Sequence, residues 1–444
     1  MVLLELLGGL LFIGNINGIT PFYGVLPLSL FLMLAPLVHQ AFADSNQTSE
    51  WKPIILLLIP LVYANYMYYI SEGTVVGLGD PYAHLAQFSL VFADPTYIDF
   101  TQCQQLSFYF VNLYVFFDQL AIVCDCNITT LASIIPPILN VIIVLLVYII
   151  GSRLIDRNSG VFAALLFGFQ IHVLQFGAEF RTQTLGTLAL FCVLSIAAIS
   201  SHKKIDSTTQ VIIVIPLLLG IVATSMVSSY ISFVVLFGFF LTSQIIKYKY
   251  QEEAPTFLAS WSFISFFLLF FIYYIIYIGL DYQQIIHSLD YLFDDAKIQA
   301  LDMGTWKDGN EIETVGYGGF ISFFMALFPK LGLFATVILL IYSCKIRDLS
   351  RIPFVVAFIA LYTQYIISNF VGELNAVRIY SVVACMLSLS TSWLLLEMVK
   401  HSQGSGLNVV LKVSFLIIIG IAVVTSVGQI PAYIIGNTEP IRSF

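Results

Sequence analysis

The stretch GVFAALLFGFQIHVLQFGAEFRTQTLGTLALFCVLSI, residues 160–196, consists of two apolar runs joined by a short break that holds Glu179 and Arg181. Runs of this kind approach the roughly 17–25 apolar residues that carry a helix across a bilayer. The stretch therefore predicts helix, tight turn, helix, with a carboxylate and a guanidinium at one membrane rim.

The same pattern extends in both directions. Of 444 residues, 59% are hydrophobic and only 10% charged, and the mean hydropathy of +0.94 marks an integral membrane protein. A transmembrane β-barrel would alternate over roughly ten-residue strands; here the apolar runs are continuous. Helices are predicted at 2–16, 21–43, 53–70, 127–150, 160–178, 185–200, 210–225, 229–246, 256–279, 319–344, 353–370, 376–398 and 407–430, about thirteen in all. The long apolar run 211–246 is cut in the stretch TSMVSSY, where polarity rises.

The fold class is thus an all-α polytopic membrane protein, a single transmembrane domain over residues 1–444. Two longer outer loops interrupt it, 71–126 with interfacial helices and 280–318. In the first, LSFYFVNLYVFFDQLAIV suits a helix lying along the interface. With the N-terminus inside, Lys52, Arg153, Arg157, Lys203, Lys204, Lys247, Lys249, Lys345, Arg347, Arg351 and Lys400 share one face, and Arg181, Lys297, Lys307, Arg378 and Arg442 the other. The positive-inside rule makes the first face cytoplasmic. The expectation is a multi-pass cell-membrane protein with a cytoplasmic N-terminus. The net charge of −8 gives no footing for nucleic acid.

Most carboxylates lie on the outer face, and three polar clusters sit there where helix meets loop. Charge near the bilayer is costly and has a partner or a task. In GLGDPYAHL, residues 77–85, Asp80 and His84 are four residues apart and share a face of any helix they enter. Asp80 as N-cap and Pro81 at the first helical position also make an ordinary helix start. Glu179 and Arg181 form the second cluster, which reads equally as a local ion pair of about 0–1 kcal/mol. Arg378, in GELNAVRIY at 372–380, is the third. It reads as a snorkelling side chain or as a fork matched to phosphate oxygens.

Asn127-Ile-Thr is an outward glycosylation sequon and Asn46-Gln-Thr an inward, silent one. Cys103, Cys124 and Cys126 lie outside, where a disulfide can form. No phosphate-binding loop, zinc-protease helix or nucleophile elbow appears in the sequence.

In order and placement these pieces resemble the GT-C superfamily of multi-span glycosyltransferases, with a mannosyltransferase- or oligosaccharyltransferase-like membrane domain. GDPYAHLAQF resembles the acidic motif of that group's first outer loop. The stretch at 160–196 resembles its helix, Glu-x-Arg turn and helix, and NAVRIYSVVACMLSL its late arginine-bearing helix. The likeness spans roughly residues 50–400. Gly79 stands before Asp80, so the doubled carboxylate typical of mannosyltransferases is absent.

The resemblance implies a hexosyltransferase that moves a sugar from a polyprenyl-phosphate-linked donor to an acceptor on the extracytoplasmic face. Asp80 would be the catalytic carboxylate. His84, Glu179, Arg181 and Arg378 would bind substrate, Arg378 at the lipid phosphate. Asp80 and Glu179 would hold a divalent cation, Mg2+ or Mn2+. Partners would be the lipid-linked donor and membrane lipids. The rival reading is a transporter or flippase for a lipid-linked or anionic substrate; charges gathered at the outer rim and the lack of internal repeats favour the transferase.

Overall fold

The computed structural model describes residues 111–170, 181–201, 207–250, 261–273, 318–371 and 373–401, with single positions at 54, 58, 61, 62, 173, 174 and 177. Among these residues the protein is all-helical and has no strand. The helices are α1 (Val111–Cys124), α2 (Ile128–Leu154), α3 (Arg157–Gly168), α4 (Thr182–Ser200) and α5 (Ser207–Thr224). They continue with α6 (Met226–Tyr250), α7 (Trp261–Phe271), α8 (Gly318–Ile346), α9 (Ile352–Val371) and α10 (Glu373–His401).

Among the described residues, five segments are long and apolar enough to cross a bilayer: α2, α4, Val227–Tyr250 of α6, Phe328–Ile346 of α8 and Ile379–His401 of α10. The chain is a multi-pass membrane protein. Of the other expected spans, 210–225 and 353–370 form the shorter apolar helices Thr209–Thr224 and Ile352–Ile367, and 160–178 is broken after Gly168. The span 256–279 is described only over 261–273. Those at 2–16, 21–43 and 407–430 lie outside the described residues, and so does 53–70 apart from the four single positions there.

Local chemistry sets the helix starts. Asn127 caps α2, its Oδ1 accepting from the Thr129 amide at 2.9 Å. Asp156 does the same for α3 with the Ser159 amide at 2.8 Å. The cut expected in TSMVSSY falls at Ser225, between α5 and α6. The Ser225 carbonyl there accepts from the Ser229 hydroxyl at 2.8 Å.

α10 is the centre of the bundle, packed on α3, α8 and α9. Its span is 78% buried against 28% for that of α8. Apolar burial provides little drive within a bilayer, so close packing of small residues and interhelical hydrogen bonds must hold these helices. Both are present. A Cβ on Gly151 of α2 would come within 2.8 Å of Gly160 Cα in α3 and 2.5 Å of Leu389 in α10. Gly332 of α8 receives Leu387 of α10 just as closely, at 2.7 Å, and Thr336 and Ser390 share a hydrogen bond of 2.7 Å between those helices.

Two ends of the bundle follow from contacts. At one end, Asp156 between α2 and α3 pairs with Lys400 at the end of α10 at 3.5 Å, and Arg351 Nε donates to the Leu154 carbonyl. At the other, Leu113 and Phe117 of α1 pack on Leu131 and Ala132 near the start of α2, with Leu185 near the start of α4 against them. Arg153, Arg157, Arg351 and Lys400 thus share the first end, and the starts of α2, α4 and α10 the second.

One helix departs from its expected course. The run 160–178 does not continue as a single helix: α3 stops at Gly168, and Gln170 begins a new turn by accepting from the amides of Val173 and Leu174, each at 2.9 Å. Gly168 is a weak helix former, and a Cβ there would meet Leu61 at 2.5 Å and Val144 at 3.0 Å. The break is held by side chains from two other helices. Gln170 Nε2 donates to Ser388 Oγ at 3.3 Å and Asn140 Nδ2 to the Val173 carbonyl at 3.2 Å.

Candidate functional site

A small cleft, walled in part by Ile143, Phe167 and Val173, lies between α2, α3 and the turn after it, α4 and α10. Gln183, Thr184 and Thr187 of α4 line it, with Asn140 of α2, Gly177 and Ser381 of α10. The space holds about one or two waters. Gln183, Thr184, Asn140 and Ser381 are all buried, so hydroxyl and amide groups cluster inside an otherwise largely apolar bundle.

Arg181 stands at the mouth of α4 as its N-cap residue, in extended conformation (φ −132°, ψ 146°), half-buried. Its carbonyl accepts from the Thr184 amide at 3.2 Å, so the guanidinium-bearing residue begins the same turn that supplies Gln183 and Thr184 to the cleft. Arg378 belongs to the second turn of α10, and Ser381, three residues on, lines the same cleft. Arg181 and Arg378 therefore belong to the same end of the bundle, on the two helices whose Thr184 and Ser381 line this cleft. Asp80, His84 and Glu179 lie outside the described residues.

The two acidic residues expected to hold a cation, Asp80 and Glu179, belong to that set, and no group of three or more His, Cys, Asp or Glu side chains able to hold a metal occurs among the described residues. Cys124 and Cys126 are free and exposed, and Cys103 is outside the described residues. The sequence reading had not singled out Asn140, Gln183, Thr184 or Ser381. The signal was available in principle, since Asn140 and Gln183 are amides in otherwise apolar stretches, but a hydroxyl or amide in a membrane helix says nothing about which neighbour it faces.

The opposite end is chemically different. Arg351 Nε pairs with Asp348 Oδ2 at 2.8 Å, and Lys400 bridges Glu397 at 2.8 Å and Asp156. The Lys400–Asp156 pair ties the end of α10 to the turn between α2 and α3, a structural role.

No protein-family model and no curated protein matches the sequence. Solved structures do match. The oligosaccharyltransferase of Archaeoglobus fulgidus in its apo form is similar over 87% of this chain and 57% of that one, at 11% identity and a TM-score of 0.52. The same enzyme tethered to an acceptor peptide containing an Asn-Val-Thr sequon gives 86%, 55%, 12% and 0.51. A third form, with an inhibitory peptide and a dolichol-phosphate, gives 86%, 56%, 13% and 0.49. The chain spans little more than half the length of these relatives. At such identity the likeness concerns the fold, and it agrees with the resemblance carried by the motifs at 79–88, 160–196 and 375–389. This chain is similar in fold to archaeal oligosaccharyltransferase, a member of the GT-C superfamily.

Proposed function

We propose that this protein is a membrane glycosyltransferase of hexosyltransferase type. It transfers a sugar from a polyprenyl-phosphate-linked donor to an acceptor on the extracytoplasmic face, with Asp80 as the catalytic carboxylate. The observation that carries this reading is that Arg181 and Arg378 share one end of the bundle, beside a small cleft lined from α4 and α10, in a fold similar to that of an oligosaccharyltransferase.

The chemistry follows from the charges. Asp80 takes the proton of the acceptor as its nucleophilic atom attacks the anomeric carbon. The bond from that carbon to the phosphate oxygen breaks, leaving its electron pair on the phosphate. Arg378 meets that negative charge with a guanidinium that stays protonated at any working pH. His84 and Glu179 support the sugar, and Arg181 holds Glu179. Asp80 and Glu179 are the side chains that would hold a divalent cation, Mg2+ or Mn2+, which when bound supplies further positive charge at the phosphate. The lipid tail stays in the bilayer, so the reacting atoms belong at the rim, where helix ends meet loops.

The paired end of the bundle, rich in Arg and Lys, is cytoplasmic on the positive-inside rule; the cleft then faces out. The test is sugar transfer by the purified full-length protein from a polyprenyl-phosphate-linked sugar. Asp80→Asn should lower turnover by about 100-fold or more with the helical content unchanged, and wild-type activity in that variant would overturn the assignment. Absence of transfer with every lipid-linked donor, together with donor movement across proteoliposomes, would establish the transporter reading instead.

A further inference from the structure

The sequon Asn127-Ile-Thr is not used by the proposed transfer reaction, and its geometry bears on a different chemistry. Asn127 is exposed and sits between two helices, after the Cys124-Asp125-Cys126 turn in which Asp125 has a φ of 49°. Its own backbone is extended (φ −64°, ψ 137°), and its Oδ1 accepts from the Thr129 amide at 2.9 Å. The side-chain oxygen is therefore committed to capping α2, and the amide is fixed with its nitrogen as the remaining face.

We propose that Asn127 is an N-glycosylation site of this protein, modified by a separate membrane oligosaccharide transferase. In that step Asn127 Nδ2 bonds to the anomeric carbon of a lipid-linked sugar. The carbon–oxygen bond to the lipid phosphate breaks with its electron pair on the phosphate, and one Nδ2 proton passes to a base of the transferase. Only a hydrogen on Nδ2 is replaced, so Oδ1 still accepts from Thr129 and the start of α2 survives modification. Position also fits. α2 is 27 residues long, about 40 Å at 1.5 Å per residue, against a hydrocarbon layer of about 30 Å. Counted outward from Arg153, the layer ends near Ser133, so Asn127 stands about 9 Å beyond it.

The proposal rests on the orientation argued above, and the experiment separates the two. The full-length protein is produced in cells that glycosylate Asn-X-Thr sites at their outer face, and its peptides are analysed by mass spectrometry. Accessible thiols are mapped in parallel with a membrane-impermeant maleimide after mild reduction. The expected result is a glycan on the Asn127 peptide, none on the Asn46 peptide, and loss of that glycan in both Asn127→Asp and Thr129→Ala. Asn127→Asp keeps the capping oxygen and so keeps the fold. Cys124 and Cys126 should label in intact cells, and Cys344, exposed near the other end of the bundle, only after permeabilisation. An unmodified Asn127 beside labelled Cys124 and Cys126 overturns the proposal and leaves the orientation standing. Labelling of Cys344 but not of Cys124 or Cys126 in intact cells overturns both. The transfer activity of the purified protein is read independently of either result.

Discussion

Asn140, in the middle of α2, donates its side-chain amide to the carbonyl of Val173, just beyond the break in α3. The residue is 1% exposed, and a Cβ at Gly177 would lie 2.0 Å from its Oδ1, so the amide is enclosed on both sides. Because it also lines the cleft, removing it should cost both stability and function. Asn140→Leu should lower stability by about 1–2 kcal/mol, the range of interhelical hydrogen bonds in bilayers, as measured by thermal unfolding in detergent. The same variant should lower the sugar-transfer rate. Wild-type stability in Asn140→Leu would show that the bond is dispensable.

The glycines divide sharply. A Cβ on Gly160 would meet the Ser152 nitrogen and the Tyr148 oxygen, each at 2.7 Å, and both are backbone atoms that cannot turn aside. Gly160→Ala should therefore force α2 and α3 apart and cost about 1–3 kcal/mol. Gly220 of α5 has nothing within 4 Å of the added carbon, so Gly220→Ala should be neutral or stabilising by up to about 1 kcal/mol. Unfolding of the two variants side by side tests the packing directly.

Arg351 joins the turn between α8 and α9 to the end of α2. Its Nε lies against the Leu154 carbonyl at the end of α2 and also pairs with Asp348, the two side chains being 18% and 22% exposed. A helix-terminal carbonyl satisfied by a charged donor is worth about 1.5–3 kcal/mol. Arg351→Met keeps the aliphatic stem and should lose most of that. Since this end of the bundle carries no part of the proposed site, the Michaelis constant for the donor should be unchanged. A large change in that constant would place Arg351 in the site.

Arg378 offers the contrast. If its guanidinium meets the lipid phosphate, Arg378→Gln should reduce turnover about 100-fold. Arg378→Lys should keep the charge, lose the two-pronged contact and recover only part of the rate. Equal loss in both would mean that shape decides; full recovery in the lysine variant would mean that charge alone does. The unfolding temperature should barely move in either.

Among the described residues, the helices at 127–150, 185–200, 210–225, 229–246, 319–344, 353–370 and 376–398 are legible in the sequence because bilayer thickness imposes a length that composition reports. The turn at Ser225 fell inside TSMVSSY as expected, since serine brings its own backbone-directed hydroxyl. The break after Gly168 was not legible. Leu-Phe-Gly-Phe-Gln is apolar enough to continue a helix, and what interrupts it is tertiary: Ser388 from α10 and the amide of Asn140 from α2. The candidate site was half legible. Arg181 and Arg378 stand out as charges at helix ends and do come to one end of the bundle. The hydroxyls and amides between them do not announce themselves, because Ser381 and Thr184 resemble many buried hydroxyls in this chain, such as Ser390, which bonds the Met386 carbonyl of its own helix at 2.7 Å.

The central place of α10 has a consequence for biogenesis. Its partners α3, α8 and α9 all precede it in the chain, so a ribosome delivers the hub after the spokes. Until residues 373–401 leave the ribosome and dock, the cleft lacks one wall and Arg378 has not arrived. A nascent chain released before that point would hold α3, α8 and α9 without the helix on which all three pack. Assembly order thus leaves the cleft incomplete until α10 has docked.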